Sequence, residues 1–197
     1  MDGACSIGFQ TDCASGTWTL GGTCSPSQCA MPPTIAAVGS RYLAVTPDGA
    51  VTMPVSLAVT SDDHSCLNKY VEANGLLGDV PVFRTALQWG TVYVGDEEIV
   101  PDSTYRITVN NGVSVAQSVA VTTWKWGDVN HSGSVDLDDI LCVLAGFGGG
   151  FTANCTLHGA DLIGGFFNPD RTVTLDDILA VLSAFGGAAY PGDAPCP

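Results

Sequence analysis

The sequence predicts a mainly β, multidomain chain. A small disulfide-rich segment is expected at 1–30, an antiparallel β-sandwich at 31–124 and a pair of loop–helix units at 125–197. Three observations predict this division: cysteines crowd the start, period-two apolar runs fill the middle, and a repeat with helical periodicity occupies the last third. The 24 Gly and 11 Pro spread turn signals along all 197 residues, which suits short strands and small modules.

Charge narrows the classes of partner. Twenty Asp and Glu against six Lys and Arg give a net charge of −14, so nucleic acid and anionic membrane surfaces would be repelled and cations are the natural counter-ligands. Eight cysteines without a paired CxxC and His pattern read as disulfides in an oxidising compartment, so the protein is expected to be secreted. No apolar run approaches the roughly 20 residues of a membrane span. The chain opens at MDGACSIG without a basic-then-apolar leader, and Met1 is expected either to be an artificial start or to follow a removed signal.

The first 30 residues carry Cys5, Cys13, Cys24 and Cys29 among Gly, Ser and Thr. So short a segment needs covalent help to hold a fold, and a disulfide knot is expected, with three connectivities open.

Between 31 and 124 the runs TIAAVGSRYLAVT, VTMPVSLAVT, NKYVEAN, TALQWGTVYVG, STYRITV and VSVAQSVAVTT are rich in β-branched and aromatic residues. PDG, NGLLGD, GDEE and NNG separate them, and six or seven antiparallel strands in an immunoglobulin-like sandwich are expected. IVPDSTYRITVNNG followed by VSVAQSVAVTT resembles the last two strands of a fibronectin type III domain. The resemblance puts Tyr105 at that family's tyrosine corner and implies a fold without a function.

In the last third VDLDDILCVLAGFGG at 135–149 recurs as VTLDDILAVLSAFGG at 173–187, a lag of 38 residues. Ile140, Leu141, Val143, Leu144 and Phe147, with Ile178, Leu179, Val181, Leu182 and Phe185, fall at helical spacing. Two short amphipathic helices, each ended by Gly-Gly, are expected to bury these stripes against each other. Asp136 and Thr174 stand where N-caps would, with Asp139 and Asp177 three residues on.

Capping leaves GDVNHSGS unexplained, whereas a twelve-residue calcium loop accounts for it. Such a loop supplies oxygens from positions 1, 3, 5, 7, 9 and 12, with a turn glycine at 6. Counting from Asp128 gives Asp128, Asn130, Ser132, the Ser134 carbonyl, Asp136 and Asp139, with Gly133 sixth. The second copy ends alike, with Asn168, Asp170, the Thr172 carbonyl, Thr174 and Asp177. Phe166 stands where its first ligand should be, so Asp161 is the candidate for position 1, with IGGFF bulging out and Arg171 in place of the turn glycine. Two Ca2+ ions are therefore expected.

Two EF-hand-like loop–helix units, each without a leading helix, resemble a dockerin domain over residues 127–187. That family is a calcium-binding module that docks cellulosomal enzymes onto cohesins. The resemblance implies partner contacts at loop positions 10 and 11, here Leu137 and Asp138, then Leu175 and Asp176. Cys142 and Cys155 depart from that pattern and are expected to form a local disulfide. With the N-terminal four paired among themselves, Cys66 and Cys196 remain and are expected to join; pairing of either with the knot is the alternative.

Other motifs carry less. SDDHSC at 61–66 reads as a polar turn rather than a nucleophile site, and Glu97 with Glu98 as a hairpin tip. Trp124 and Trp126 read as packing between units before a sugar-stacking platform, and His131 and His158 lack a transition-metal pattern. Asn154 heads a glycosylation sequon, as does Asn130, where metal ligation competes.

The expected function is a secreted, calcium-stabilised, non-catalytic structural or adhesive protein that binds copies of itself, for instance as a fibre subunit, or other extracellular proteins. The alternative is a docking tail of a larger secreted enzyme, bound by a cohesin-like receptor; glycan binding is a third reading.

Overall fold

A computed structural model of the chain describes residues 30–164, 169–193 and 195. The expected cysteine knot, Asn168 and Cys196 lie outside the described residues.

The fold is mainly β, with antiparallel sheets and four helices among the described residues. Strands β1 (Thr34–Ala37), β2 (Leu43–Thr46) and β6 (Val92–Val94) form one sheet in the order β1-β2-β6. The second sheet runs β5 (Leu77–Gly78), β4 (Asn68–Val71), β3 (Ser56–Ser61), β7 (Thr104–Asn110) and β8 (Val115–Gln117), and β9 (Val121–Thr122) also pairs with β7.

Alternation explains which face is buried. In β7 Tyr105, Ile107 and Val109 turn inward while Arg106 and Thr108 turn outward, the period-two pattern of a half-buried strand. These side chains join Leu57 and Val59 of β3 and Leu43, Val45, Val92 and Val94 of the other sheet in one hydrophobic cluster. The fully buried Tyr105 hydroxyl accepts a hydrogen bond from Val100 N at 2.8 Å and donates to Glu98 O at 3.2 Å, while burial pushes it up to about 12. Tyr105→Phe leaves a buried amide without its acceptor, so we expect a loss of about 2 kcal/mol in denaturant unfolding. A change within error would show that the Tyr105 ring contributes only packing.

One expected strand is a helix in its first half. TALQW becomes α1 (Ala86–Trp89), because Thr85 and Gln88 close a capping box and the Trp89 indole N–H reaches Val55 O at 2.9 Å. Nine short strands are seen among the described residues where six or seven were expected, the surplus being the brief β5 and the split of the final strand into β8 and β9.

Helices α2 (Leu137–Phe147), α3 (Leu157–Ala160) and α4 (Leu175–Phe185) follow. A second hydrophobic cluster gathers Trp126, Val129, Ile140, Val143, Leu162, Ala180, Val181 and Ala184. The Cys142–Cys155 disulfide ties α2 to the turn before α3, as expected.

The expected burial of both helical stripes is corrected by the structure. Ile140 and Val143 are buried on α2 and Val181 on α4, but Leu141, Leu144, Phe147, Leu179, Leu182 and Phe185 face outward. The apolar positions span too wide an arc for one contact, and the buried sides combine Ile140, Cys142 and Val143 of α2 and Val181 of α4 with the small residues Gly146, Ala180 and Ala184. Leu137, Leu141 and Leu144 thus form a separate outward row at i, i+4 and i+7, matched by Leu175, Leu179 and Leu182.

Candidate metal loops

Each loop is organised by two buried carboxylates that collect backbone amides. In the first, Asp139 Oδ1 accepts from Val129 N (2.7 Å) and Asn130 N (3.1 Å), and its Oδ2 accepts from Asp136 N (2.9 Å). Asp128 accepts from Ser132 N at 2.9 Å and Gly133 N at 2.8 Å. The second loop repeats this pattern. Asp177 Oδ1 accepts from Leu162 N and Ile163 N and its Oδ2 from Thr174 N (2.7, 2.9 and 2.7 Å), while Asp161 accepts from Asp170 N at 3.3 Å and Arg171 N at 2.6 Å.

The repeat of bonds assigns the register. Asp161 receives the amides of Asp170 and Arg171 as Asp128 receives those of Ser132 and Gly133, so Asp161 is the counterpart of Asp128 although the chain between is five residues longer. Gly133 has φ 91° and Arg171 has φ 66°, so both sixth positions are left-handed. Arginine holds that conformation at a cost of about 1–2 kcal/mol, and its side chain is anchored by a bond from Nη2 to Tyr93 O at 3.2 Å.

The N-caps lie within the loops, as the spacing predicted. Asp136 and Thr174 cap α2 and α4, and Asp139 and Asp177 complete the two boxes. Burial pushes the carboxyls of Asp139 and Asp177 above the usual range, against the pull of their amide donors. Burial likewise pushes Asp161 up to about 7.

The donor chemistry suits calcium. Among the described residues no three His, Cys, Asp or Glu side chains gather into a metal centre by themselves. The first loop instead mixes Asp128, Asp136 and Asp139 with the Asn130 amide, the Ser132 hydroxyl and the Ser134 carbonyl, and a hard cation takes such an all-oxygen set. A carboxylate offers about four lone-pair directions, so acceptance of two amides by Asp128 leaves capacity for a cation. In the second loop Asp161, Asp170, Thr172, Thr174 and Asp177 are described; Thr172 O–H donates to Asp170 Oδ1.

The motifs around the loops have structural partners. Trp124 stacks on His131 with ring centroids 4.7 Å apart, and Trp126 meets Tyr190 edge-on at 5.0 Å. Within SDDHSC, Asp62 pairs with Arg106 at 2.9 Å, Asp63 accepts from Thr104 N and His64 meets Ser103 Oγ. Cys66 is disulfide-bonded to a residue outside the described ones, and Pro195 O lies 3.4 Å from its Sγ. Among the described residues no helix is long and apolar enough to cross a membrane.

Sequence reasoning missed Arg41 and Tyr42, which lie in the seam between the sheets and the second loop. The buried Arg41 guanidinium donates to Ile99 O (2.6 Å), Asp96 O (3.1 Å) and Leu162 O (3.5 Å), and lies 5.1 Å from the centre of the Tyr190 ring. Tyr42 O–H donates to Asp161 Oδ2 at 2.5 Å. A charged residue amid apolar ones was the one available signal, in SRYLAV.

Comparison with protein-family models, curated proteins and solved structures finds no match.

Proposed function

We propose that the chain is a secreted, non-catalytic, calcium-folded protein-binding unit in which a fibronectin type III-like sandwich carries a dockerin-like docking module. The strand orders β1-β2-β6 and β5-β4-β3-β7-β8 and the bonded Tyr105 hydroxyl support the sandwich. The repeated amide pattern around Asp128, Asp139, Asp161 and Asp177 supports two calcium loops. Cys66 is paired in this reading with Cys196, beside Pro195.

The observation that carries the docking role is the pair of outward rows on α2 and α4. Leu137 and Leu175 are each 61% exposed, Leu141 and Leu179 are 52% and 53%, and Leu144 and Leu182 are 45% and 44%. Repeated exposed apolar side chains of this size mark an interaction face. Asp138 and Asp176 border the rows, and the chain carries a net charge of −14, so a second copy would set acid against acid. The reading therefore favours a different protein, a cohesin-like receptor with an apolar face and a neutral or basic rim.

Sedimentation velocity and circular dichroism in millimolar calcium and in chelator test the reading, together with capture by a panel of cohesin-type domains. A monomer that gains helix with calcium and binds a receptor agrees with it. Calcium-dependent polymers would favour the self-assembling fibre subunit instead. Leu141→Asp with Leu179→Asp should leave the fold intact, since both side chains are exposed, and weaken receptor binding at least about 100-fold. Unchanged binding would remove these rows from the interface.

A further inference from the structure

The two loops differ in what reaches their first carboxylate. Asp128 is bonded by amides of its own loop, Ser132 N and Gly133 N. Asp161 has the matching amides and, in addition, the Tyr42 hydroxyl, which arrives from the residue preceding β2, 119 positions away in sequence. Tyr42 is 0% and Asp161 1% exposed.

The surrounding contacts hold Tyr42 in place. His158, on the short helix leading to Asp161, stacks on Tyr93 at 3.9 Å and meets Tyr42 edge-on at 4.9 Å. A Cβ at Gly95 would stand 2.2 Å from the Tyr42 ring, and one at Gly39 would stand 2.1 Å from His158 O. The first approach confines the Tyr42 ring, and the second brings the backbone at Gly39 against that of His158 without an intervening side chain.

We propose that Tyr42 is a positioning residue for the second calcium loop, so that metal binding there and docking of the sheets onto the loop are one coupled equilibrium. The inference rests on the calcium reading given above. Its physical basis is that the Asp161 carboxylate must be correctly oriented to ligate. A hydroxyl bonded to Oδ2 fixes that orientation. Partners of this kind behind a ligand commonly contribute 10–100-fold in metal affinity. Coupling is reciprocal, so calcium must tighten the sheet side of the seam by the same free energy that the seam lends to calcium.

The test is calorimetric titration of the oxidised full chain with calcium, beside Tyr42→Phe and Asp139→Ala. The wild type should show two sites, and Asp139→Ala should retain one, assigning the second loop. Tyr42→Phe should weaken that second site at least about 10-fold and leave the first unchanged. A second-site affinity in Tyr42→Phe equal to the wild type's would overturn the proposal, whereas no calcium binding by the wild type would overturn the calcium reading itself and the proposal with it. Hydrogen exchange on the wild type needs no variant. Calcium should increase protection in residues 38–46 and 92–95 as well as in the loops, and a gain confined to 126–187 would refute the coupling.

Discussion

Asp139→Ala is expected to lower stability by about 4 kcal/mol even in chelator, because the amides of Val129, Asn130 and Asp136 lose their shared acceptor at once. The side chain is 0% exposed, so water cannot take its place without opening the loop. The same change removes half of the α2 capping box. Its exposed neighbour provides the control: Asp138→Ala should cost less than about 1 kcal/mol, the scale of a charge near a helix N-terminus. Denaturant unfolding in chelator separates this scaffold role from ligation. A loss below about 1 kcal/mol for Asp139→Ala would mean that the amide cradle forms only around metal.

Arg41→Met should be nearly as damaging, at about 3 kcal/mol, although it keeps the length and apolar character of the stem. The guanidinium is 0% exposed, and burial draws its pKa down, opposed by the nearby acidic groups. Replacing a buried charge is harmless when its partners are replaced too, but here the partners include the Ile99, Asp96 and Leu162 carbonyls, which stay behind without this donor. Arg41→Lys should recover part of the loss, since an ammonium is a point donor that cannot span three carbonyls arranged around a planar fork. Thermal unfolding with near-ultraviolet dichroism from the adjacent Tyr190 provides the readout. A wild-type melting temperature in Arg41→Met would show that the seam is held by packing alone.

What was legible in the sequence was local. The caps Asp136 and Thr174, the left-handed sixth positions at Gly133 and Arg171, and the Cys142–Cys155 disulfide follow from spacings of a few residues, and all are present. The pairing of Asp161 with Asp128 was also legible, and the structure gives both carboxylates the same kind of loop amide donors. What was not legible depended on distance. Nothing in SRYLAV indicates that Arg41 will find carbonyls 55, 58 and 121 positions away, or that Tyr42 will find Asp161. The outward leucine rows were hidden for a different reason. Helical periodicity reports that Leu141 and Val143 are both apolar, and it does not say which of them is buried: Val143 is 0% exposed and Leu141 is 52% exposed.

The capping boxes have a consequence for cooperativity. The amide of Asp136 closes the first loop and opens α2 with one bond to Asp139, and Thr174 does the same with Asp177. Loop and first helical turn therefore have no independent way to open: fraying of the helix start releases the carboxylate that organises the loop, and opening of the loop uncaps the helix. Each loop–helix unit should behave as a single foldon, its amides exchanging with one common opening free energy rather than with the graded values of an ordinary helix end.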